Sequence, residues 1–285
     1  MTESKRLIDL LTATDEFFKT RGIESPRRNA EALFAKALHL PRIELYLQHD
    51  RPLKDQELDQ IRELIRRRAK REPLQYLVGE VEFYNSRIEL SPGLLIPRPE
   101  TEELVSLLLD RIPQNSHILD IGCGTGCISV ALAKNLDSCS VVAIDVDSDA
   151  VEQTKRNIQL NDVSERVSAL VIDVYSDSFA QVVNAPFDVI VSNPPYLRDD
   201  ELPTLEPEVR DHERKHALAS GARGDECFVR ISNLLPDLLK QSGILALEFG
   251  LDQGNRIREL FSSQLSELSI LRDMQGKERF LIGNR

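Results

Sequence analysis

Val189-Ile190-Val191-Ser192-Asn193-Pro194-Pro195-Tyr196 decides how the rest of this chain is interpreted. Three consecutive apolar residues at its start predict a buried strand of a parallel sheet. Pro194 and Pro195 have no backbone N–H donors, so the strand must end at Asn193. Open α/β sheets bind their ligands beyond the carboxyl ends of the strands, so the residues from Asn193 to Tyr196 form a candidate binding site.

An ordinary strand-ending turn explains the same four residues without any function. Asn-Pro often begins a turn, and short motifs match by chance. The functional interpretation is that the prolines stiffen the turn and hold the Asn193 amide, the Pro194 carbonyl and the Tyr196 ring as one rigid cluster. Such a cluster suits a small planar group that carries an NH2. The surrounding sequence has to decide between the two.

Strands and helices alternate from residue 117 onward, which predicts a mostly parallel α/β sheet. The strands expected to run parallel are residues 117–121, 141–145, 167–172, 189–192 and 244–247. The last two strands, 268–271 and 280–282, are separated by a turn too short for a crossover helix, so they should be antiparallel. We therefore predict a sheet of about seven strands with one antiparallel strand.

Residues 1–72 are expected to form a small all-α bundle. Leu7, Leu11 and Phe18 recur at helical spacing, and further apolar residues repeat at the same spacing beyond them. The bundle ends in the basic run 66–71. That run is either a solvated helix end, where cations are favoured, or a contact surface for an acidic partner or RNA.

Residues 73–97 no longer show helical spacing of apolar residues and are expected to form a β-hairpin linker. Tyr76 and Val78 look like strand residues, and Gly79 looks like a turn. The remaining residues, 98–285, are expected to form the catalytic domain.

Composition narrows the class of protein. A chain of 285 residues with 29% charged and 41% hydrophobic residues is typical of a globular protein of one or two domains. No apolar run approaches the roughly 20 residues of a membrane span, and no signal-peptide core follows Glu3. Four cysteines without a CxxC pair fit a reducing cytoplasm and argue against both a zinc site and a disulfide framework, and no metal is expected. A net charge of −11 opposes broad nucleic-acid binding.

A glycine run, Gly122-Cys123-Gly124-Thr125-Gly126, lies between a predicted strand and a predicted helix. Glycines let the backbone approach a ligand at a helix N-terminus. Asp145 ends the next strand, where a carboxylate can accept both ribose hydroxyls, and Asp173 ends the third, where it can accept from an adenine amino group. Taken alone, each aspartate is better explained as a helix cap after a strand. Together on neighbouring strands they favour S-adenosylmethionine as the ligand.

These residues also carry a family resemblance. The run from Asp120 to Gly126 resembles the first motif of class I S-adenosylmethionine-dependent methyltransferases, which have a Rossmann-like fold. Asn193 to Tyr196 resembles the catalytic motif of enzymes that methylate planar amino or amide nitrogens. The segment 95–102, with 73–76 upstream, resembles the PrmC/HemK family of glutamine methyltransferases. The resemblance covers nearly the whole chain.

That resemblance implies an activity and a partner. The family transfers a methyl group from S-adenosylmethionine to the side-chain amide nitrogen (N5) of the glutamine in the GGQ motif of class-1 peptide chain release factors, leaving S-adenosylhomocysteine. We therefore expect a cytoplasmic enzyme whose partner is a release factor, with neither a membrane nor a nucleic acid as a direct partner.

The same resemblance assigns site residues. Those expected to bind the cofactor are Arg98, Asp120, Gly122, Cys123, Gly124, Thr125, Gly126, Asp145, Asp173, Val174 and Asn193. Those expected to be catalytic are Asn193, Pro194 and Tyr196, which together with Pro195 are expected to bind the substrate. At the position of Val174, the resemblance implies a larger, ring-bearing side chain against the adenine. The segment 213–224 matches the family only loosely, so no contact is assigned to it.

Two other functions use the same residues. An adenine-N6 methyltransferase acting on DNA or RNA would hold a flipped base with the same four residues, but such an enzyme normally adds a basic recognition domain. A cofactor-binding scaffold without catalysis would not need an intact Asn-Pro-Pro-Tyr. Labelled cofactor offered with a release factor or with nucleic acid separates all three.

Overall fold

The computed structural model describes residues 6–177 and 179–285. These residues divide into two compact units. The first unit runs to Glu80 and takes in Glu206–His212, and the second comprises Val81–Leu205 and Glu213–Arg285. The first unit thus extends past residue 72, where the bundle was expected to end.

The first unit is helical, as predicted. Its helices are α1 (Leu7–Thr20), α2 (Pro26–Leu38), α3 (Arg42–Leu47), α4 (Asp55–Ala69) and α5 (Leu74–Val78), with α10 (Pro207–Arg210) contributed by the later segment. The apolar side chains that recur at helical spacing meet in one core, in which Leu11, Phe18 and Phe34 are fully buried. This burial, more than helix propensity, stabilises helices as short as these.

The basic run at the end of α4 is largely paired with acids of the same unit. Arg68 is only 7% exposed and bonds to Glu208 at 2.9 Å, and Arg71 reaches the same carboxylate at 3.0 Å. Arg66 pairs with an acid one turn earlier in α4. Arg68 is therefore structural and not available to a partner, whereas Arg66 and Lys70 are exposed.

The predicted hairpin is present, but it begins later than expected. Its strands are β1 (Glu80–Phe83) and β2 (Ser86–Glu89). The expectation of strand at Tyr76 and Val78 is wrong, because both lie in α5. Packing overrode local preference here: Leu77 is buried in the bundle core, and Gly79, at φ +85°, ends the helix in the left-handed conformation.

The second unit is built on a seven-stranded sheet with the order β5-β4-β3-β6-β7-β9-β8. Its strands are β3 (Ser116–Ile121), β4 (Cys139–Asp145), β5 (Val167–Val171), β6 (Phe187–Ser192), β7 (Leu239–Glu248), β8 (Glu267–Arg272) and β9 (Glu278–Asn284). β9 is antiparallel to both neighbours, and the other pairs are parallel. The predicted fold class is confirmed.

Helices cover the sheet of the second unit. They are α6 (Pro99–Leu109), α7 (Cys127–Asn135), α8 (Ser148–Leu160), α9 (Phe179–Val182), α11 (Lys215–Leu218), α12 (Glu226–Leu238) and α13 (Gly254–Phe261), with a 3₁₀ turn at Leu202–Thr204. Their apolar faces pack on the sheet around fully buried Phe187, Phe228 and Phe249. In the described ranges, no helix has both the length and the apolar character of a membrane span.

The strand order creates a crevice at the centre of the sheet. From β3 the chain moves outward through β4 and β5, then returns to add β6 on the other side of β3. Such a reversal leaves a ligand-binding crevice beyond the carboxyl ends of the two central strands. Ile121 of β3 pairs with Ser192 of β6, so the glycine run and Asn193 leave the sheet side by side.

Candidate active site

A cavity of about 630 Å³ lies at the carboxyl ends of the central strands of the second unit. Eight of the residues predicted from the sequence line it: Gly122, Gly124, Asp145, Asp173, Val174, Asn193, Pro194 and Pro195. The structure thus brings Gly122 and Gly124 of the glycine run, both strand-end aspartates and the start of the Asn-Pro-Pro-Tyr motif to one cavity.

The glycine run supplies a backbone cradle between β3 and α7. Gly124 has φ +55°, and a Cβ built on it would meet nothing within 4 Å, because its open side faces the cavity. Gly126 is needed for a different reason: a Cβ there would lie 2.7 Å from the Thr154 side chain of α8. The run therefore leaves space for a ligand on one side and packs tightly on the other.

Asp145, at the end of β4, holds the glycine cradle in place. One of its carboxylate oxygens accepts the Gly124 N–H at 2.9 Å, and the other accepts the Asp147 N–H at 2.9 Å. Burial raises the pKa of the carboxyl. Each oxygen keeps a second lone pair that a ligand hydroxyl can reach from the cavity.

Asp173 and Tyr175 form the wall beyond β5. The Asp173 carboxylate accepts the Tyr175 N–H at 2.9 Å, which fixes the turn that carries the tyrosine. The Tyr175 ring is 53% exposed and lines the cavity together with Val174. Sequence reasoning missed Tyr175, although an aromatic residue two positions after a strand-end aspartate was a usable signal.

Asn193 belongs to a hydrogen-bonded chain of side chains from separate elements. Its Nδ2 donates to Thr101 Oγ1 at 3.1 Å, and Thr101 Oγ1 donates to Glu248 Oε2 at 2.7 Å. Thr101 lies in the first turn of α6 and Glu248 at the end of β7, and both are buried. Neither was predicted as a site residue, although Thr101 lies in the segment 95–102 that carried the family resemblance.

Tyr196 is turned toward the hydrophobic core and is not part of the cavity wall. Its backbone N–H donates to the Leu218 carbonyl at 3.2 Å, and its own carbonyl accepts from Gln253 Nε2 at 3.0 Å. Burial raises the pKa of the phenol to about 12, which keeps it neutral at physiological pH. The ring therefore acts as apolar surface packed against the core.

Asp120, just before the glycine run, and Cys123 and Thr125 within it do not line the cavity. Asp120 is fully buried and accepts a hydrogen bond from Ser129 Oγ at 2.6 Å, and burial raises its pKa to about 7. The Thr125 carbonyl accepts from Asn157 Nδ2 at 2.9 Å. These three residues shape the loop.

The segment after residue 212 closes another side of the cavity. Glu213 is buried and pairs with Arg98 at 2.7 and 2.8 Å, which places Arg98 behind this segment and off the cavity wall. Arg214 and His216 line the cavity, and the Arg214 guanidinium bridges Asp147 and Asp149 after β4. The segment 213–224, to which no contact was assigned from the sequence, therefore forms part of the cavity wall.

Comparison with known proteins identifies relatives for both units. Residues 9–79 match the PrmC N-terminal domain family, and residues 100–207 match the methyltransferase small domain family. A release factor glutamine methyltransferase from Chlorobaculum tepidum is 37% identical over 282 residues, which cover 96% of each chain. A crystal structure of a methyltransferase from Pyrococcus furiosus aligns with a TM-score of 0.51 at 23% identity, over 69% of this chain and 87% of that one. The crystal structure of SMU.776 complexed with SAH also gives a TM-score of 0.51, at 13% identity over 72% of this chain and 55% of that one.

The fold and its cavity define a class I S-adenosylmethionine-dependent methyltransferase. The 37% sequence identity to the Chlorobaculum tepidum enzyme extends over nearly the full length and is more specific. It shows that the chain belongs to the family of release factor glutamine methyltransferases. The resemblance to the PrmC/HemK family is confirmed.

Proposed function

We propose that this chain methylates the side-chain amide nitrogen (N5) of the glutamine in the GGQ motif of class-1 peptide chain release factors. The observation that carries the proposal is the placement of Asn193. Its Nδ2 is bonded to Thr101, so its Oδ1 is left as an acceptor at a cavity wall shared with the glycine cradle. An acceptor is what an incoming amide NH2 requires.

The residues of the cavity fit S-adenosylmethionine. Gly122 and Gly124 leave the space that a side chain would otherwise fill, Asp145 offers lone pairs for hydroxyls, and Asp173 with the Tyr175 ring suits an adenine. When bound, the cofactor supplies an electrophilic methyl group on a sulfonium. Arg98, Asp120, Cys123, Thr125 and Gly126 would act on it indirectly, by shaping the cradle and the wall.

An amide nitrogen is a poor nucleophile because its lone pair is delocalised into its carbonyl. The Asn-Pro-Pro-Tyr motif compensates for this by positioning the nitrogen. Asn193 Oδ1 and the Pro194 carbonyl can each accept one hydrogen of the substrate NH2. Two fixed acceptors orient the nitrogen, favour a pyramidal geometry and stabilise positive charge as it develops there. The methylated nitrogen is strongly acidic, so it loses its extra proton afterwards. Pro195 stiffens the turn, and the Tyr196 ring anchors the motif by packing against the hydrophobic core.

The first unit is proposed to recognise the folded release factor. None of its residues matches a catalytic motif, and a substrate that presents one glutamine on a loop needs more contact surface than the cavity offers. The cytoplasm is the proposed compartment, because all four cysteines are free and buried. A net charge of −11 opposes direct contact with nucleic acid, which also weighs against the adenine-N6 alternative.

The test is mass spectrometry of a release factor after incubation with this protein and S-adenosylmethionine. One added methyl group on the GGQ glutamine is expected. A release factor with that glutamine replaced by glutamate is the control and should gain none. Methylation of single-stranded or duplex DNA or RNA offered in its place, with no modification of the factor, would favour the adenine-N6 activity.

Asp145→Ala is expected to weaken S-adenosylmethionine binding by roughly 10- to 150-fold, the loss that follows from removing hydrogen bonds to a charged acceptor. The effect has two parts, because Asp145 both accepts from the cofactor and holds the Gly124 N–H. Isothermal titration calorimetry measures the affinity. Asp137→Ala, an exposed aspartate of the same unit, is the matched control. Unchanged affinity in Asp145→Ala would assign the ribose contact to another residue.

A further inference from the structure

The side chains of Asn193, Thr101 and Glu248 are joined by two hydrogen bonds. They come from the turn after β6, the first turn of α6 and the end of β7. The separations are 3.1 Å from Asn193 Nδ2 to Thr101 Oγ1 and 2.7 Å from Thr101 Oγ1 to Glu248 Oε2. Thr101 is 2% exposed and Glu248 is 1% exposed, so water does not compete for these bonds.

The direction of both bonds follows from proton counting. An ionised carboxylate only accepts hydrogen bonds, and a threonine hydroxyl has a single proton to donate. When Glu248 is ionised, the Thr101 hydroxyl donates its one hydrogen bond to the Glu248 carboxylate. Toward Asn193, the hydroxyl oxygen can then only accept a hydrogen bond. The group that Asn193 presents to Thr101 must then be its NH2, which leaves Oδ1 free.

We propose that Thr101 and Glu248 are positioning residues that lock the Asn193 amide with its Oδ1 toward the substrate. This inference rests on the proposed function, in which Oδ1 accepts a hydrogen of the glutamine NH2. A flipped amide would present its own NH2 to the substrate NH2, donor against donor, and the acceptor would be lost. Neither positioning residue touches the reacting atoms, since both act through Asn193.

Protonation of Glu248 would reverse the chain of hydrogen bonds. A neutral carboxyl can donate to Thr101, which frees the threonine proton to turn toward Asn193 and favours the flipped amide. Burial raises the pKa of the Glu248 carboxyl to about 7, within the range of an ordinary assay. The titratable or charged groups that face it are Arg98, Glu100, Cys127, Tyr196 and Arg279. The working, ionised form is the one present above this pKa, so kcat is expected to fall as the pH falls below about 7.

Three variants test the positioning role on a class-1 release factor with S-adenosylmethionine. Thr101→Val keeps the shape and removes the hydroxyl, and it is expected to lower kcat about tenfold with little change in the KM for the cofactor. Thr101→Ser keeps the hydroxyl and should restore most of kcat. Glu248→Gln cannot titrate, so its kcat should lose the fall below about pH 7 that the wild-type enzyme has. Thr14→Val, at a buried threonine whose hydroxyl donates to the Leu10 carbonyl of its own helix, is the matched control.

Any one of three outcomes would overturn the inference. The first is a wild-type kcat in Thr101→Val, and the second is a loss of kcat in Thr101→Ser equal to that in Thr101→Val. The third is a fall in the kcat of Glu248→Gln below about pH 7 that matches that of the wild-type enzyme. Calorimetry of cofactor binding and the melting temperature check that each variant is folded. Wild-type activity tests the proposed function, whereas the ratios between variants and wild type test this inference.

A readout without turnover keeps the inference testable even if the release factor is not the substrate. In NMR spectra of selectively labelled protein, the Asn193 side-chain NH2 signals should shift as the pH crosses the titration of Glu248. The shift should vanish in Thr101→Val and in Glu248→Gln. Signals that move equally in all three proteins would show that the amide does not respond to Glu248.

Discussion

Replacing Asn193 by alanine is expected to lower kcat about 100- to 1000-fold, the usual cost of removing one preorganised polar group that stabilises developing charge. The acceptor that holds the substrate NH2 disappears, and the remaining Pro194 carbonyl cannot fix the nitrogen by itself. S-adenosylmethionine affinity should stay within a few fold, because the glycine cradle and Asp145 are untouched. Single-turnover kinetics with a release factor measures the chemical step.

Asn135→Ala is the matched control for this experiment. Asn135 lies at the end of α7, and its amide donates to the Ala131 carbonyl of the same helix at 2.8 Å. Its loss should leave turnover near the wild-type value. Near-normal turnover in Asn193→Ala would remove the amide from the mechanism, and loss of cofactor binding in that variant would make Asn193 chiefly a cofactor ligand.

Deleting the first unit is expected to lower kcat/KM on an intact release factor by at least about 100-fold, chiefly through a higher KM. That loss corresponds to about 2.7 kcal/mol of recognition energy, a fraction of what an interface of about 800 Å² per partner can supply. The shortened chain begins at Val81 and carries a Gly-Ser linker in place of Glu206–His212, which packs with the first unit. Steady-state kinetics measures the change.

The shortened chain should still bind S-adenosylmethionine, because the cavity residues and the hydrophobic core around the sheet all lie in the second unit. Cofactor affinity is therefore the control for folding. A short glutamine peptide should be an equally poor substrate for both chains. If the shortened chain methylates the intact factor as well as the full chain does, the first unit serves folding or stability and not recognition.

The architecture of the sheet could be predicted because its signals are local. Consecutive apolar residues in 117–121 and 189–192 indicate strands buried on both faces, and the short turn after residue 272 forces the last pair to be antiparallel. The glycine run and the Asn-Pro-Pro-Tyr stretch are equally local. In each, neighbours along the chain carry the whole signal, since backbone conformation and strand termination depend on adjacent residues.

Errors and omissions arose where distant packing decided the outcome. Tyr76 and Val78 read as strand residues, but the burial of Leu77 in the bundle core selects a helix. The four-residue helix within Glu206–His212 belongs to the first unit through ion pairs of Glu208 with Arg68 and Arg71, more than a hundred positions earlier in the chain. No local pattern encodes such a pairing.

By itself, the sequence determined the fold class, the strand that carries Asn193, and the two motifs that meet beyond the central strands. Only the tertiary structure decided what surrounds Asn193. Thr101 and Glu248 are 147 positions apart in the sequence, yet their side chains are hydrogen-bonded at 2.7 Å. Asn193 donates to Thr101 although the two residues are 92 positions apart. Each of these bonds depends on where α6, β6 and β7 come to rest on the sheet. The physical reason is that strand and turn formation is governed by neighbouring residues, whereas the orientation of one side-chain amide is governed by whichever groups the completed fold places within hydrogen-bonding distance.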